Sequence, residues 1–262
     1  MRTALRFALL LASFVTLTIA ERRRPLRRPT NPANRRLVIN LVVGAVGFGA
    51  LALLYNGVVV RTVRWSAERE VGLLRWLEIP EWVASPLAVV LLDYTLWHWH
   101  WLNHRVPLLW RFHAAHHADL DLDASTALRF HPGELVLSLP FRAAQVALLG
   151  VALGPLLVWE TLVALFVQFH HSNLRLPTRF ERVLGGLIIT PRIHGIHHSR
   201  RPRELHSNFG TLLSLWDRLH GLRVVDVPQD SIAIGLPHQR DRRALGARAS
   251  LRLPFARRIP SK

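Results

Sequence analysis

Two short stretches, HWHWLNH starting at residue 98 and RFHAAHH ending at residue 117, bring six histidines together beside nearly pure hydrocarbon sequence. Imidazole is the commonest metal ligand and a proton carrier near neutral pH, and it is poorly suited to lipid-facing surface. Crowding of this kind points to a metal centre. One pattern, H-x-x-H-H, occurs twice: His113, His116 and His117 in HAAHH, and His194, His197 and His198 in HGIHH. Chance is a poor explanation for two matches to one template.

Spacing gives the pattern a physical meaning. Helical positions three and four apart share a face, so the imidazoles of each triplet are expected to project together as a half-cup. His100 and His104, four apart in HWLNH, do the same. These eight histidines exceed what one ion uses, since a structural zinc takes about four ligands and a catalytic zinc about three plus water. Two ions roughly 3.5–4 Å apart would use them all. Nitrogen donors suit iron, zinc, copper and nickel alike, and no carboxylate lies inside the clusters to narrow the element.

The elements that position these residues are helices. Of 262 residues, 50% are hydrophobic, and their distribution matters more than the total. Residues 37–60 carry no charge and are long enough to cross a hydrocarbon core of about 30 Å. Residues 83–101 form a second expected span, with Asp93 near its middle. Residues 135–169 are too long for one span and read as a helical hairpin broken at Gly154 and Pro155. The fold class is therefore all-α, an integral membrane protein with about four transmembrane helices and a cytoplasmic helical cap holding the histidines.

Residues 7–20 have the length of a signal peptide. The loop after them, ERRRPLRRPTNPANRR, has seven arginines, and the positive-inside rule places it in the cytoplasm, so the first segment is read as a retained helix. With that loop inside, the alternation of spans brings His98, His100, His104, His170 and His171 out at the cytoplasmic face. The chain divides into N-terminal membrane segments (1–82), a catalytic region (83–222) and a basic tail (223–262).

The net charge of +17 includes a tail run of Arg240, Arg242, Arg243, Arg248, Arg252, Arg257 and Arg258. Beside membrane spans this fits attraction to anionic headgroups, or simply a solvated basic face. No nucleic-acid motif is present. The absence of cysteine excludes disulfides, thiolate ligation and cysteine-held iron–sulfur clusters.

The ordered run DYTLWHWHWLNH, LLWRFHAAHH, RFHP, FHHSN, TPRIHGIHHS and NFGTLLSLWDRLHG, over residues 85–222, resembles the sterol desaturase / fatty acid hydroxylase superfamily of membrane di-iron oxygenases. The resemblance implies that His100 and His104 form the first histidine box, His113, His116 and His117 the second, and His194, His197 and His198 the third. It also implies that His131 and His171 complete the metal shell. His98, His170 and Asn173 are read as supporting residues, Asn208 and Asp217 as a turn holding the third box, and Asp93 as orienting an imidazole or bonding a neighbouring helix. His206, His220 and His238 are read as surface or supporting residues. Three positions depart from the family pattern: Trp101 stands where Arg is usual, and the last motif closes on His220, Gly221 and Leu222 where an aromatic, Gly and Thr are usual.

The resemblance implies two iron ions, replaceable by zinc on overexpression, that activate dioxygen to hydroxylate or desaturate a lipid: a sterol, fatty acyl chain, carotenoid or ether lipid. Electrons would come from an external donor of ferredoxin or cytochrome type. Two other classes compete. A bis-histidine haem protein would place paired histidines at membrane depth, not in triplets after the spans. A metal-binding or metal-transport protein would line a path across the bilayer rather than gather its imidazoles on one face.

Overall fold

The computed structural model describes residues 3–236 and 246–256, which form helices and short connections with no strand among them. His238 and the tail arginines at 240, 242, 243, 257 and 258 lie outside the described residues.

Helix α1 (Thr3–Arg23) leads through the arginine-rich loop to α2 (Ala33–Tyr55), which continues through a π-helical turn (Asn56–Val60) into α3 (Arg61–Glu68). The expected span at 37–60 thus extends a further two turns, and α4 (Leu73–Trp76) follows. Helix α5 (Glu81–Arg105) ends where Val106, preceding a proline, turns extended at φ −88° and ψ 117°. Pro107 then opens α6 (Pro107–His117), where its missing N–H costs nothing. That one-residue corner sets the first box at the end of α5 against the second box at the end of α6.

The expected hairpin forms, but its break lies earlier than Gly154–Pro155. Helix α7 (Pro132–Leu149) is stopped by Gly150 in the left-handed region at φ 69°, and α8 (Leu153–His171) starts three residues on. Pro155 falls in the first turn of α8, where a proline is tolerated. Gly150 also meets Gly72 backbone to backbone, leaving no room for a Cβ on Gly72 and only a tight fit for one on Gly150.

Among the described residues, three helical segments are long and apolar enough to cross a membrane: Thr3–Arg23, Ala33–Trp76 and Leu153–His171. Helices α5 and α7, counted as spans from sequence, are of helix length but bury polar residues among the apolar ones, including Asp93, Asn103, Glu134 and Gln145. A core of Val59, Val63, Leu92, Leu139, Val146, Leu156 and Trp159 joins α2–α3, α5, α7 and α8.

The ends of α5 and α8 meet a cap made of α6 with the short helices α9 (Thr178–Leu184), α10 (Pro191–His197), α11 (Pro202–Leu205), α12 (Leu215–Leu219) and α13 (Ala247–Arg252). The arginine-rich loop is bound into this cap. Buried Arg36 donates to Asp119 (3.0 Å) and Asp123 (2.6 Å), while Asp121 accepts from the backbone N–H groups of Thr30 and Asn31, each at 2.9 Å. Burial alone would raise the Asp119 carboxyl, but Arg36 outweighs it and holds the group below its ordinary value.

Candidate metal centre

The structure gathers nine imidazoles into two sets: His100, His104, His113, His117 and His197 in one, and His116, His171, His194 and His198 in the other, each with its ligand nitrogens within 4.8 Å of one another. All nine are buried except His100, which is partly so. The sets do not follow the boxes. Each H-x-x-H-H triplet divides, with His113 and His117 in the five-membered set and His116 in the other, and with His194 and His198 in the four-membered set and His197 in the other.

The half-cup expectation is corrected by helix geometry. Adjacent residues point about 100° apart around a helix axis, so the paired histidines of each triplet aim at different points, while the first and last stay nearly aligned. The two triplets thereby exchange one member each. His117 stacks on His198 across the divide, with centroids 4.2 Å apart and planes at 19°.

Five rings are oriented through Nδ1. His100 donates to Phe209 O (2.8 Å), His116 to Arg129 O (3.2 Å), His171 to Val167 O (2.7 Å) and His197 to Ser207 O (2.8 Å). His113 donates to the Glu134 carboxylate at 2.9 Å. A proton held on Nδ1 leaves the Nε2 lone pair directed into the centre. Burial first, and neighbouring imidazoles second, hold His116, His117, His194, His197 and His198 well below the ordinary histidine value, so they stay neutral donors.

The residues fit metal ions. The Nε2 atoms of His171 approach those of His116 and His194 at 2.9 and 3.0 Å, and His113 and His117 approach at 3.1 Å. Lone pairs facing each other at such distances need a shared cation or proton. Both ring nitrogens of His104 and Nε2 of His197 are buried with no hydrogen-bond partner. Buried polar atoms without partners are costly, and coordination would satisfy one nitrogen of His104 and Nε2 of His197.

The remaining sequence-predicted residues lie around these sets. His131 lies outside both sets: Nδ1 accepts from Gly133 N–H (2.9 Å) at the start of α7 and Nε2 is 3.1 Å from Leu251 O. His98 bonds Tyr94 O at 3.0 Å, and the His170 ring lies tilted at 37° against His194, with centroids 4.0 Å apart. Asp93 orients no imidazole; it accepts from Leu212 N, Leu213 N and Trp216 Nε1, tying the loop before α12 to α5. Asp217 accepts from Trp97 Nε1 and from Phe209 N and Gly210 N, thereby fixing the carbonyl that holds His100.

Asn208, at φ 55°, brackets the chain between Ile193 O and Val224. Asn173 binds Arg27 of the N-terminal loop through both side-chain atoms. His220 stacks on Trp97, and His206 lies edge-on to His104.

Two supporting residues escaped sequence reading. Glu134 carried one signal, an acid in an apolar stretch, but nothing in its spacing links it to His113. Buried Arg129, bonded to Asn40, Ala115 O and Ser250, carried none.

Among curated proteins, the chain is 32% identical over 173 residues to an ornithine lipid hydroxylase of Rhizobium tropici, covering 66% of this chain and 50% of that protein. It is 25% identical to the alkylglycerol monooxygenase of Homo sapiens, over 63% of this chain and 35% of the relative. It is 29% identical to the human cholesterol 25-hydroxylase, over 54% and 52%. The chain thus spans about half or less of the length of these relatives. No solved structure matches it significantly. The fatty acid hydroxylase family model matches residues 85–222, more than half the chain and the region that supplies all nine clustered histidines, and the chain belongs to that family.

Proposed function

We propose that this chain is a membrane-embedded lipid hydroxylase with two metal ions, iron in the active form, one in each histidine set. The observation that carries the reading is the division of nine imidazoles, all but His100 buried, into two adjoining sets with inward lone pairs. When bound, a pair of ferrous ions supplies the activation of dioxygen needed to attack an unactivated C–H bond. The protein's own residues do the rest. Backbone carbonyls and Glu134 fix the tautomers, the buried cap keeps bulk water from the centre, and the helix ends bring the site to the bilayer boundary, where an acyl or sterol chain can reach it.

The names of the three relatives, each a hydroxylase or monooxygenase of a lipid, favour hydroxylation over desaturation. The substrate class is a lipid, and the electrons come from a separate donor of ferredoxin or cytochrome type. The arginine-rich loop is bonded to the same cap as the histidines, so the positive-inside rule supports a cytoplasmic site.

The test pairs metal analysis with lipid profiling. Purified protein is expected to contain two metal equivalents, and a deletion strain to lack a hydroxylated lipid that returns with the intact gene and not with His116→Ala. An unchanged lipid profile together with metal uptake into vesicles would instead support a metal-transport protein.

A further inference from the structure

The family match begins at residue 85, yet a residue far before it touches the third histidine box. Arg27 Nη2 donates to Pro191 O (3.0 Å), the first residue of α10, and to Gln229 Oε1. Its guanidinium lies against Gly195, so that a Cβ on that glycine would overlap it. Gly195 separates His194 from Ile196 within HGIHH, which gives this glycine a steric reason of its own.

The backbone of the same arginine is tied to the end of α8. Arg27 N donates to Asn173 Oδ1 (2.9 Å) and Asn173 Nδ2 donates back to Arg27 O (2.8 Å). Leu26 N bonds Asn173 O (2.7 Å), and Arg175 N bonds Arg24 O (2.8 Å). Glu21 Oε2 accepts from Asn173 N at 2.8 Å. Asn173 follows His171 by two residues, so one arginine connects the segment carrying His171 to the helix carrying His194 and His198.

These three histidines, with His116, are the whole four-membered set. We propose that Arg27 is a positioning residue that clamps α10 to the end of α8 and so sets the distances within that set, while the five-membered set takes only His197 from α10 and its other four members from α5 and α6. The consequence for metal rests on the two-metal reading; the clamp itself does not.

Full-length protein, purified in detergent and stripped of metal, tests both parts. Hydrogen exchange of the metal-free chain reads the clamp. In Arg27→Ala, amides of residues 191–198 should exchange faster while those of residues 107–117 and the α2–α7 core stay as in the unaltered protein. Zinc(II) titration against a competing chelator reads the consequence. The unaltered chain binds two equivalents, and Arg27→Ala and Gly195→Ala weaken one by about 10–100-fold and the other, which takes only His197 from α10, by much less. His194→Ala loses the more strongly weakened equivalent, and Arg27→Lys restores part of the affinity.

Unchanged exchange in residues 191–198 of Arg27→Ala overturns the clamp, as does equal weakening of both equivalents. If Arg27→Ala does not fold, Gly195→Ala and Arg27→Lys carry the same comparison. An unaltered chain that binds only one equivalent overturns the two-metal reading, and exchange then decides the clamp alone.

Discussion

Glu134 Oε1 and His113 Nδ1, on residues 21 positions apart in the chain, meet at 2.9 Å, both side chains buried. Four other clustered histidines lean on backbone carbonyls, whereas this one leans on a carboxylate, which strengthens its Nε2 as a donor. Removing it is expected to weaken metal binding at the five-membered set. Glu134→Ala should lower metal affinity or turnover by about 10–100-fold, and Glu134→Gln by less, since an amide oxygen still accepts the hydrogen bond from Nδ1–H. Chelator competition on the two variants checks the order.

Division of the triplets separates variants that box-by-box reasoning would treat alike. His194→Ala leaves three imidazoles in its set and should lose one metal equivalent outright. His197→Ala leaves four in the other set and should retain bound metal at reduced affinity. Metal content per chain distinguishes the two.

His131→Ala should leave metal content unchanged. Its cost is a helix cap, the bond from Gly133 N–H, so the thermal midpoint should fall by the equivalent of about 1 kcal/mol. Loss of a metal equivalent would return His131 to the ligand set.

Asp119→Ala removes one of the two carboxylates paired with buried Arg36 and leaves Asp123 as its partner. The variant is expected to cost less than the about 3–5 kcal/mol of a lost sole partner, and the double variant Asp119→Ala with Asp123→Ala to reach that range, both read as a lowered unfolding midpoint in detergent.

Burial pushes Asp217 up from 3.8 to about 6, against bonds from Trp97 and from the backbone of Gly210 and Phe209. The folded state therefore holds this proton more tightly than the unfolded chain. Its contribution is fully present below about pH 4 and is lost as pH rises through 6. The stability of the protein relative to Asp217→Asn should fall by up to about 3 kcal/mol across that window. A difference that does not vary with pH would remove Asp217 as the titrating group.

The sequence by itself determined which residues could hold metal and on what kind of element. Helical spacing and the two triplets marked His100, His104, His113, His116, His117, His194, His197 and His198, and apolar runs marked the helices that carry them, because both are local properties of the chain. The hairpin break slipped from Gly154–Pro155 to Gly150, since either glycine satisfies the local signal and only the packing of Gly150 on Gly72 selects one.

Tertiary structure alone decided the partition of the triplets, the position of His131 outside both sets and the roles of Glu134, Arg129 and Arg27. Each depends on what faces a side chain from a distant segment: Leu251 from beyond the described gap, Glu134 from the next helix, Asn173 from the end of α8. A periodic pattern fixes the direction of a side chain relative to its own helix axis. The group waiting in that direction is set by how the helices pack, and that information is spread over the whole chain.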